Sequence, residues 1–400
     1  MHERVSSVLD GLLSAGEGRP VAALCTGQPG GLNGLLTIEQ THAGVMPEGL
    51  FRWLPAPAGG PANDLASGWL FAIDYEHAHH YEPRGGSRHR PVHPTATWMR
   101  FRRAEQAAAT TTPAKERGYT LGPLASRTGR AGFVRGVSAA LGHIGAGDVY
   151  QINLTHQLEG AFSGCTRALF ADLVRAADPW FGAYLELPAA GGLPARVIAS
   201  ASPEMFLTIA PGGVITTRPM KGTRAGSNLA HELDSSEKER AELTMIVDLM
   251  RNDLGRVCVP GSIHVPAGRT IEAHAGGTIL QATGTVRGQL REGATLGEVL
   301  AATFPPGSVT GAPKLRAMQL IEALEHGPRG PYCGIIGYAT DSGHAGMSVA
   351  IRTAVIEGGR LTYGVGAGIV ADSDPQSEWE ETLAKAGVIM GLARERGAQA

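Results

Sequence analysis

Lysine is scarce in this chain. Of 35 basic residues only five are lysines (Lys115, Lys221, Lys238, Lys314 and Lys385), and arginine supplies positive charge everywhere else. A lysine kept against that bias suggests a task that a guanidinium, which does not lose its proton, cannot perform. Net charge is lacking too: 35 basic against 37 acidic side chains leave −2. No basic field exists to hold nucleic acid or an anionic membrane, so a small-molecule partner is expected in their place. No apolar run reaches the length of ~18 residues that marks a spanning helix. Met1 to Asp10 lacks the apolar core of a signal peptide. The four cysteines (Cys25, Cys165, Cys258, Cys333) are scattered, with no CxxC pair. They read as free thiols of a reducing cytoplasm, and neither a disulfide frame nor a zinc site is expected.

The chain does have apolar mass. Its 400 residues are 43% hydrophobic, enough for one large core or for two to three ordinary domains. Gly68–Asp74 and Trp98–Phe101 read as short strands, and Arg103–Arg117 as a polar, exposed connector. Phe133, Val134, Val137, Leu141 and Ile144 recur at helical spacing over 130–144, stopped by Gly145 and Gly147. Val149–Leu154 alternates as a strand. Arg196–Ile209 and Val214–Arg218 read as two strands joined by a Pro211-Gly212-Gly213 turn. Ser236–Leu254 predicts a helix, as does Leu315–Leu324 after Pro313. Tyr332–Thr340, Ser348–Ile356 and Arg360–Tyr363 read as strands, and Glu378–Leu392, after Pro375, as a last helix. Runs of strands with isolated helices favour α+β.

Two carboxylate pairs, Glu239/Glu242 and Glu378/Glu381, have i,i+3 spacing on predicted helices, which puts each pair on one face. Two such faces brought together would need a hard cation between them, and oxygen ligands suit Mg²⁺. A solvated helix face is the commoner meaning of that spacing. Lys221, in Arg218-Pro-Met-Lys-Gly-Thr-Arg224, is either a turn lysine or a desolvated nucleophile. Glu204 is either a strand-edge carboxylate or a general acid. Gly364-Val-Gly-Ala-Gly368 reads as a glycine-rich turn, and Arg352, inside Met347–Val355, as a carboxylate clamp or a structural ion pair. Phe304–Lys314 is a punctuated loop feeding a helix N-terminus.

Taken in order, these stretches resemble one family. They are SPE around Glu204, RPMKGT (218–223), ERAELTMIVDLMRNDLGRV (239–257), FPPGSVTGAPKLRAM (304–318), YCGIIGY (332–338), IRT (351–353) and GAGIVADSDPQSEWEETLAKA (366–386). Together they are similar to the chorismate-utilising enzymes, which include anthranilate synthase, aminodeoxychorismate synthase component I, and isochorismate and salicylate synthases. The resemblance is dense over 118–395, the expected catalytic region. It is faint over 1–117, an expected strand-rich part of the same fold, where GWLFAIDYEHAHHYEP (68–83) is similar to a stretch of the group. It implies a single large α+β domain, with two antiparallel sheets sandwiched between helices.

The resemblance also implies roles. Glu239, Glu242, Glu378 and Glu381 would flank Mg²⁺, which binds the ring carboxylate of chorismate. Thr223, Tyr332, Arg352, Lys385, Gly366, Gly368 and Gln151 would hold the substrate, and Glu204 would protonate the departing 4-hydroxyl. Lys221 stands where anthranilate, isochorismate and salicylate synthases carry alanine. This matches aminodeoxychorismate synthase component I, in which that lysine attacks ring carbon C2. Gln151 stands where enzymes that add water carry a lysine base, and an amide cannot take that proton. The implied reaction turns chorismate and ammonia into 4-amino-4-deoxychorismate. The ammonia would come from a separate glutamine amidotransferase subunit, since no glutaminase half is visible. Anthranilate synthase component I, an aminodeoxychorismate synthase of secondary metabolism and a non-catalytic chorismate-binding paralogue are the alternatives. Gln281 departs from a usual histidine, and Pro306 from a usual glycine.

Overall fold

The computed structural model describes residues 3–14, 20–25, 34–44, 67–85, 95–103, 118–225, 237–274 and 279–397. Of the connector expected at Arg103–Arg117, Arg103 ends a strand (Ala96–Arg103) and 104–117 lie outside the described residues.

Every described strand pair is antiparallel, and the strands form two sheets. The first runs in the order β7 (Gln151–Gly164), β19 (Arg360–Ile369), β18 (Thr353–Glu357), β9 (Arg196–Ser202), β8 (Phe181–Leu187), β1 (Val21–Cys25). Short strands β5 (Tyr119–Leu121), β6 (Ala125–Ser126) and β15 (Gly311–Ala312) add to β7. The second runs β2 (Gly34–Gly44), β4 (Ala96–Arg103), β3 (Ser67–Ile73), β16 (Ile335–Thr340), β17 (Ala345–Val349), β10 (Met205–Ile209), β11 (Val214–Arg218), β14 (Ile279–Gln289). Both β12 (Met220–Ala225) and β13 (His264–His274) pair with β14. The β1–β2 pairing joins the two sheets.

The period of two along each strand decides which core a side chain enters. Ala22 and Leu24 of β1 point between the sheets with Leu70, Phe101, Leu185 and Ile198. Ala23 and Cys25 point the other way, to a core shared with helices α1 (Glu3–Ser14), α3 (Thr166–Ala177) and α8 (Gly387–Gly397). Phe71 and Ile73 of β3 face a third core with α2 (Gly129–Gly145), α4 (Glu237–Gly255), α5 (Leu296–Thr303) and α6 (Lys314–Leu324). Two sheets between helices, in an α+β domain, are what the chain forms. α4 presents Leu243, Ile246, Val247, Met250 and Leu254 to that third core and carries Glu237 and Glu239 in its first turn, where the helix dipole favours them. Among the described residues no helix is long and apolar enough to cross a membrane, and all four cysteines are free thiols.

Several element boundaries differ from the sequence expectation. The strand expected at Val149–Leu154 begins at Gln151 and runs to Gly164. Arg196–Ile209 is two strands, because Pro203 cannot donate to a ladder and the chain crosses there from the first sheet to the second. Ser348–Ile356 also splits, at 350–352, where the chain crosses back. Arg352 therefore sits at the break, not inside a strand, with φ +50°. The expected helix Glu378–Leu392 is two helices, α7 (Pro375–Lys385) and α8, parted at Ala386. Residues 364–368 are not a turn but the inner half of β19.

Candidate active site

The site forms where the chain crosses between sheets. Glu204 lies at the β9–β10 break. Its backbone N–H donates to the Ser202 hydroxyl (3.2 Å) and its carbonyl accepts from Val349 N–H (3.1 Å). The side chain is 4% exposed. Burial raises its carboxyl to about 7, against the Ser308 hydroxyl, the nearby Lys221 amine, the Met220 backbone N–H and Lys385, which all favour the charged form. A carboxyl half-protonated at neutral pH suits a general acid.

Lys221 comes from β12, opposite Ala282 on β14. The register slips between Lys221 and Thr223, and Gly222 takes φ +68° there, a left-handed conformation that glycine adopts without cost. The resulting bulge locally interrupts the ladder beside the lysine. A Cβ built on Gly368 would lie 3.3 Å from Lys221 Nζ and 2.8 Å from Gln151 Nε2. The amine, the amide and the glycine thus meet at one point. Desolvation lowers the Lys221 pKa. Glu242 opposes the shift, Lys385 adds to it, and Glu204 and Glu381 oppose it. A lysine closer to neutrality is a better nucleophile.

Gln151 opens β7 fully buried, and among the described residues neither its Nε2 nor its Oε1 has a hydrogen-bond partner. An amide buried in this way is costly unless something else satisfies it. Lys385 Nζ donates to the Gly366 carbonyl (2.9 Å) and pairs with Glu381 (2.7 Å). The Tyr332 ring lies on Gly364, where an added Cβ would fall 2.1 Å from Cγ. Gly366 faces the Leu154 carbonyl, 2.6 Å from an added Cβ. Glycine occupies 364, 366 and 368 because each is pressed by a neighbour on the same strand face. Arg352 is half-buried, and among the described residues no carboxylate pairs with it. Thr223 is described by its backbone alone, opposite Gln281.

The two glutamate pairs stand on α4 and α7. Asp374 caps α7 by accepting from Ser377 N–H, with Pro375 next in the first turn. The helix is fixed on the first sheet by His156, which bonds Thr382 (2.9 Å) and stacks on Trp379 at 4.8 Å. Glu378 is buried and accepts from the Ser373 hydroxyl at 2.5 Å. Glu242 and Glu381 both act on the Lys221 amine, so the two helices turn acidic residues toward one space. Among the described residues, however, no three His, Cys, Asp or Glu side chains converge to hold an ion. The donors are all carboxylate oxygens, the chemistry a hard cation takes, and Mg²⁺ usually completes its shell with water and substrate. The residues fit such an ion in the kind of donor they offer, while among the described residues their carboxylates do not close into a three-ligand set.

Lys221, Glu204, Gln151, Gly368, Lys385, Glu242 and Glu381 are brought together. Sequence reasoning missed Ser308, whose hydroxyl lies beside Glu204 and favours its charged form. The punctuation of the 304–314 loop was the available signal, since such a loop presents polar groups at a helix N-terminus.

Comparisons with known proteins give the family and the fold. The profile of the family described as chorismate binding enzyme matches residues 55–391. Aminodeoxychorismate synthase of Streptomyces griseus is 40% identical over 280 residues, 68% of this chain and 38% of that protein. Aminodeoxychorismate synthase component 1 of Salmonella typhimurium is 40% identical over 252 residues, 61% of this chain and 54% of that protein. The chain spans about half, or less, of the length of these curated relatives. The crystal structure of anthranilate synthase component I from Streptococcus pneumoniae superposes with a TM-score of 0.74 at 24% identity, covering 94% of this chain and 93% of that one. That likeness shows a shared fold.

Proposed function

The chain belongs to the chorismate binding enzyme family, and on that premise we propose that it converts chorismate and ammonia into 4-amino-4-deoxychorismate, the precursor of p-aminobenzoate. One observation carries the reading: a lysine amine of lowered proton affinity meets Gln151 and Gly368, next to a carboxyl that ionises only near pH 7. The relatives' names, aminodeoxychorismate synthase among them, support it.

In the proposed reaction, neutral Lys221 adds through Nζ to ring carbon C2. The electron pairs of the two ring double bonds shift toward C4, and the 4-hydroxyl leaves as water with the Glu204 proton. Ammonia then adds at C4, the double bonds shift back, and the Lys221–C2 bond breaks, returning its electron pair to nitrogen. The new ammonium gives a proton to the Glu204 carboxylate. Atoms balance as chorismate plus ammonia giving product plus water, with both side chains restored. Gln151, unable to act as a base, is left to donate and accept hydrogen bonds with the ring substituents. Arg352 and the Lys385-braced Gly366 strand would bind the carboxylates, Tyr332 would wall the enolpyruvyl side, and Thr223 would complete the pocket.

Glu239, Glu242, Glu378 and Glu381 are the residues that would hold Mg²⁺. When bound, that ion would neutralise the ring carboxylate and strengthen its pull on electrons. The nitrogen would reach the site as ammonia from a separate glutamine amidotransferase subunit.

Lys221→Ala tests the reading. With ammonia supplied, the variant is expected to lose aminodeoxychorismate formation by a factor of at least about 10³, read by mass spectrometry of the product. Product at the wild-type rate would rule out covalent catalysis. A strongly fluorescent anthranilate product from the wild type would favour the neighbouring reaction instead.

A further inference from the structure

Arg329 lies between α6 and β16, in a Gly-Pro-Arg-Gly-Pro stretch, and is 3% exposed. Its guanidinium bonds four acceptors on three segments. Nε and Nη2 donate to the two Glu325 oxygens (2.9 and 2.7 Å), Nη2 also to the Asn153 carbonyl (2.7 Å), and Nη1 to the Val309 carbonyl (2.8 Å). Glu325 also accepts from Thr155 N–H at 2.8 Å. The Arg329 and Gly330 backbone N–H groups donate to the buried Glu76 carboxylate (2.6 and 3.1 Å), and the guanidinium stacks 4.3 Å over the Tyr75 ring.

A buried ion pair gives little net stability over apolar packing of the same size. What this one supplies is placement. Val309 follows Ser308, whose hydroxyl lies beside Glu204 and favours its charged form. Asn153 and Thr155 lie opposite Gly368 and Gly366 on β19. Tyr332 is three residues downstream. Each segment tied by Arg329 thus carries, or directly faces, a group of the site.

We infer that Arg329 is a positioning residue: by bonding the Val309 and Asn153 carbonyls at once, it holds Ser308 on Glu204 and keeps β7 in register under Gly366 and Gly368. This rests on the reading of Glu204 as the general acid. Glu204 is faced by Lys221 from β12, Lys385 from α7, Ser308 from the 304–314 loop and the Cys333 thiol. Arg329 is faced by Glu325, Tyr75 and Cys333.

Wild-type turnover of chorismate with ammonia is measured first. If it makes no aminodeoxychorismate, the functional reading fails whatever Arg329 does. Arg329→Lys keeps the charge opposite Glu325 but cannot span four acceptors. Folding checked by circular dichroism, its kcat is expected to fall on the order of 10²-fold, the cost of a misplaced catalytic group. Displacing the Ser308 hydroxyl from Glu204 should also move the falling alkaline limb of log kcat to higher pH. Ser308→Ala should move the same limb the same way, and the double variant should lose less than the product of the two single losses. Should Arg329→Lys not fold, the paired replacement Arg329→Met with Glu325→Gln removes the tethers without an unpaired buried charge, and is read identically. An unmoved limb, wild-type kcat, or fully multiplicative losses would overturn the inference.

Discussion

At the scale of single residues, Glu204 links the site's chemistry to the fold's stability. Unfolded, its carboxyl loses its proton near 4.5; folded, near 7. Between those values the folded state holds more protons than the unfolded one. This contribution is therefore full below 4.5, falls as pH rises through the window, and is gone above 7, a change of about 3 kcal/mol. Glu204→Gln cannot titrate. The difference in unfolding free energy between wild type and variant should shift by that amount between pH 4.5 and 8, by denaturant titration at each pH. Parallel curves would contradict the raised carboxyl. Glu76, also raised to about 7 by burial, contributes equally to both proteins and cancels. On the proposed role of Glu204 as general acid, the same proton sets activity, and wild-type kcat should fall above about pH 7. Glu204 and Lys221 were legible as candidates, but only the order of neighbouring motifs separated them from a strand-edge glutamate and a turn lysine. Arg329 was not legible at all. In sequence it is one arginine of thirty in a proline- and glycine-rich loop, and its four acceptors lie up to 176 residues away.

At the scale of elements, the inner half of β19 shows why local reading went astray. Three glycines in five residues normally mean a turn, since each lacks a side chain to pack. Here the missing side chains leave room for the Tyr332 ring, the Leu154 carbonyl and the meeting of Lys221 with Gln151. Substitutions should separate these uses. Gly364→Ala would drive a Cβ into the buried Tyr332 ring, and should cost about 1–3 kcal/mol of stability. Gly368→Ala meets only the ends of two side chains, so the melting temperature should hold while activity drops by tenfold or more. Equal melting losses in both variants would contradict this division. Helices and isolated strands were readable because 3.6- and 2-residue periodicities report directly on packing. The strand breaks at 203–204 and 350–352 were not, because each marks a crossing between sheets that no local pattern encodes. The glutamates of α4 and α7 likewise reveal their shared orientation only once α7 is docked on His156.

At the scale of the whole molecule, two sheets and three cores bring residues from 151 to 385 to one point. The resemblance of ordered motifs conveyed that architecture, whereas length alone allowed several domains. Burial pushes three of the four thiols up, Cys25 to about 12, Cys258 to about 11 and Cys333 to about 12, the opposite of what a glutaminase nucleophile needs. The pure chain should therefore form product from chorismate with ammonium salts, and from glutamine only after an amidotransferase subunit is added. Glutamine-driven turnover by the chain alone would refute the two-subunit reading.

The pairing of β7 with β19 also bears on how the protein is made. Residues 152–161 find their partners only at 360–369. On a ribosome adding ~5–20 residues per second, that partner arrives roughly 10–40 s later. Through that interval β7 has an open ladder edge, and the seat of Gln151 has no floor. The nascent chain is where this pairing is most exposed to a wrong partner, and residues 360–385 supply both the missing strand and the acidic face of α7.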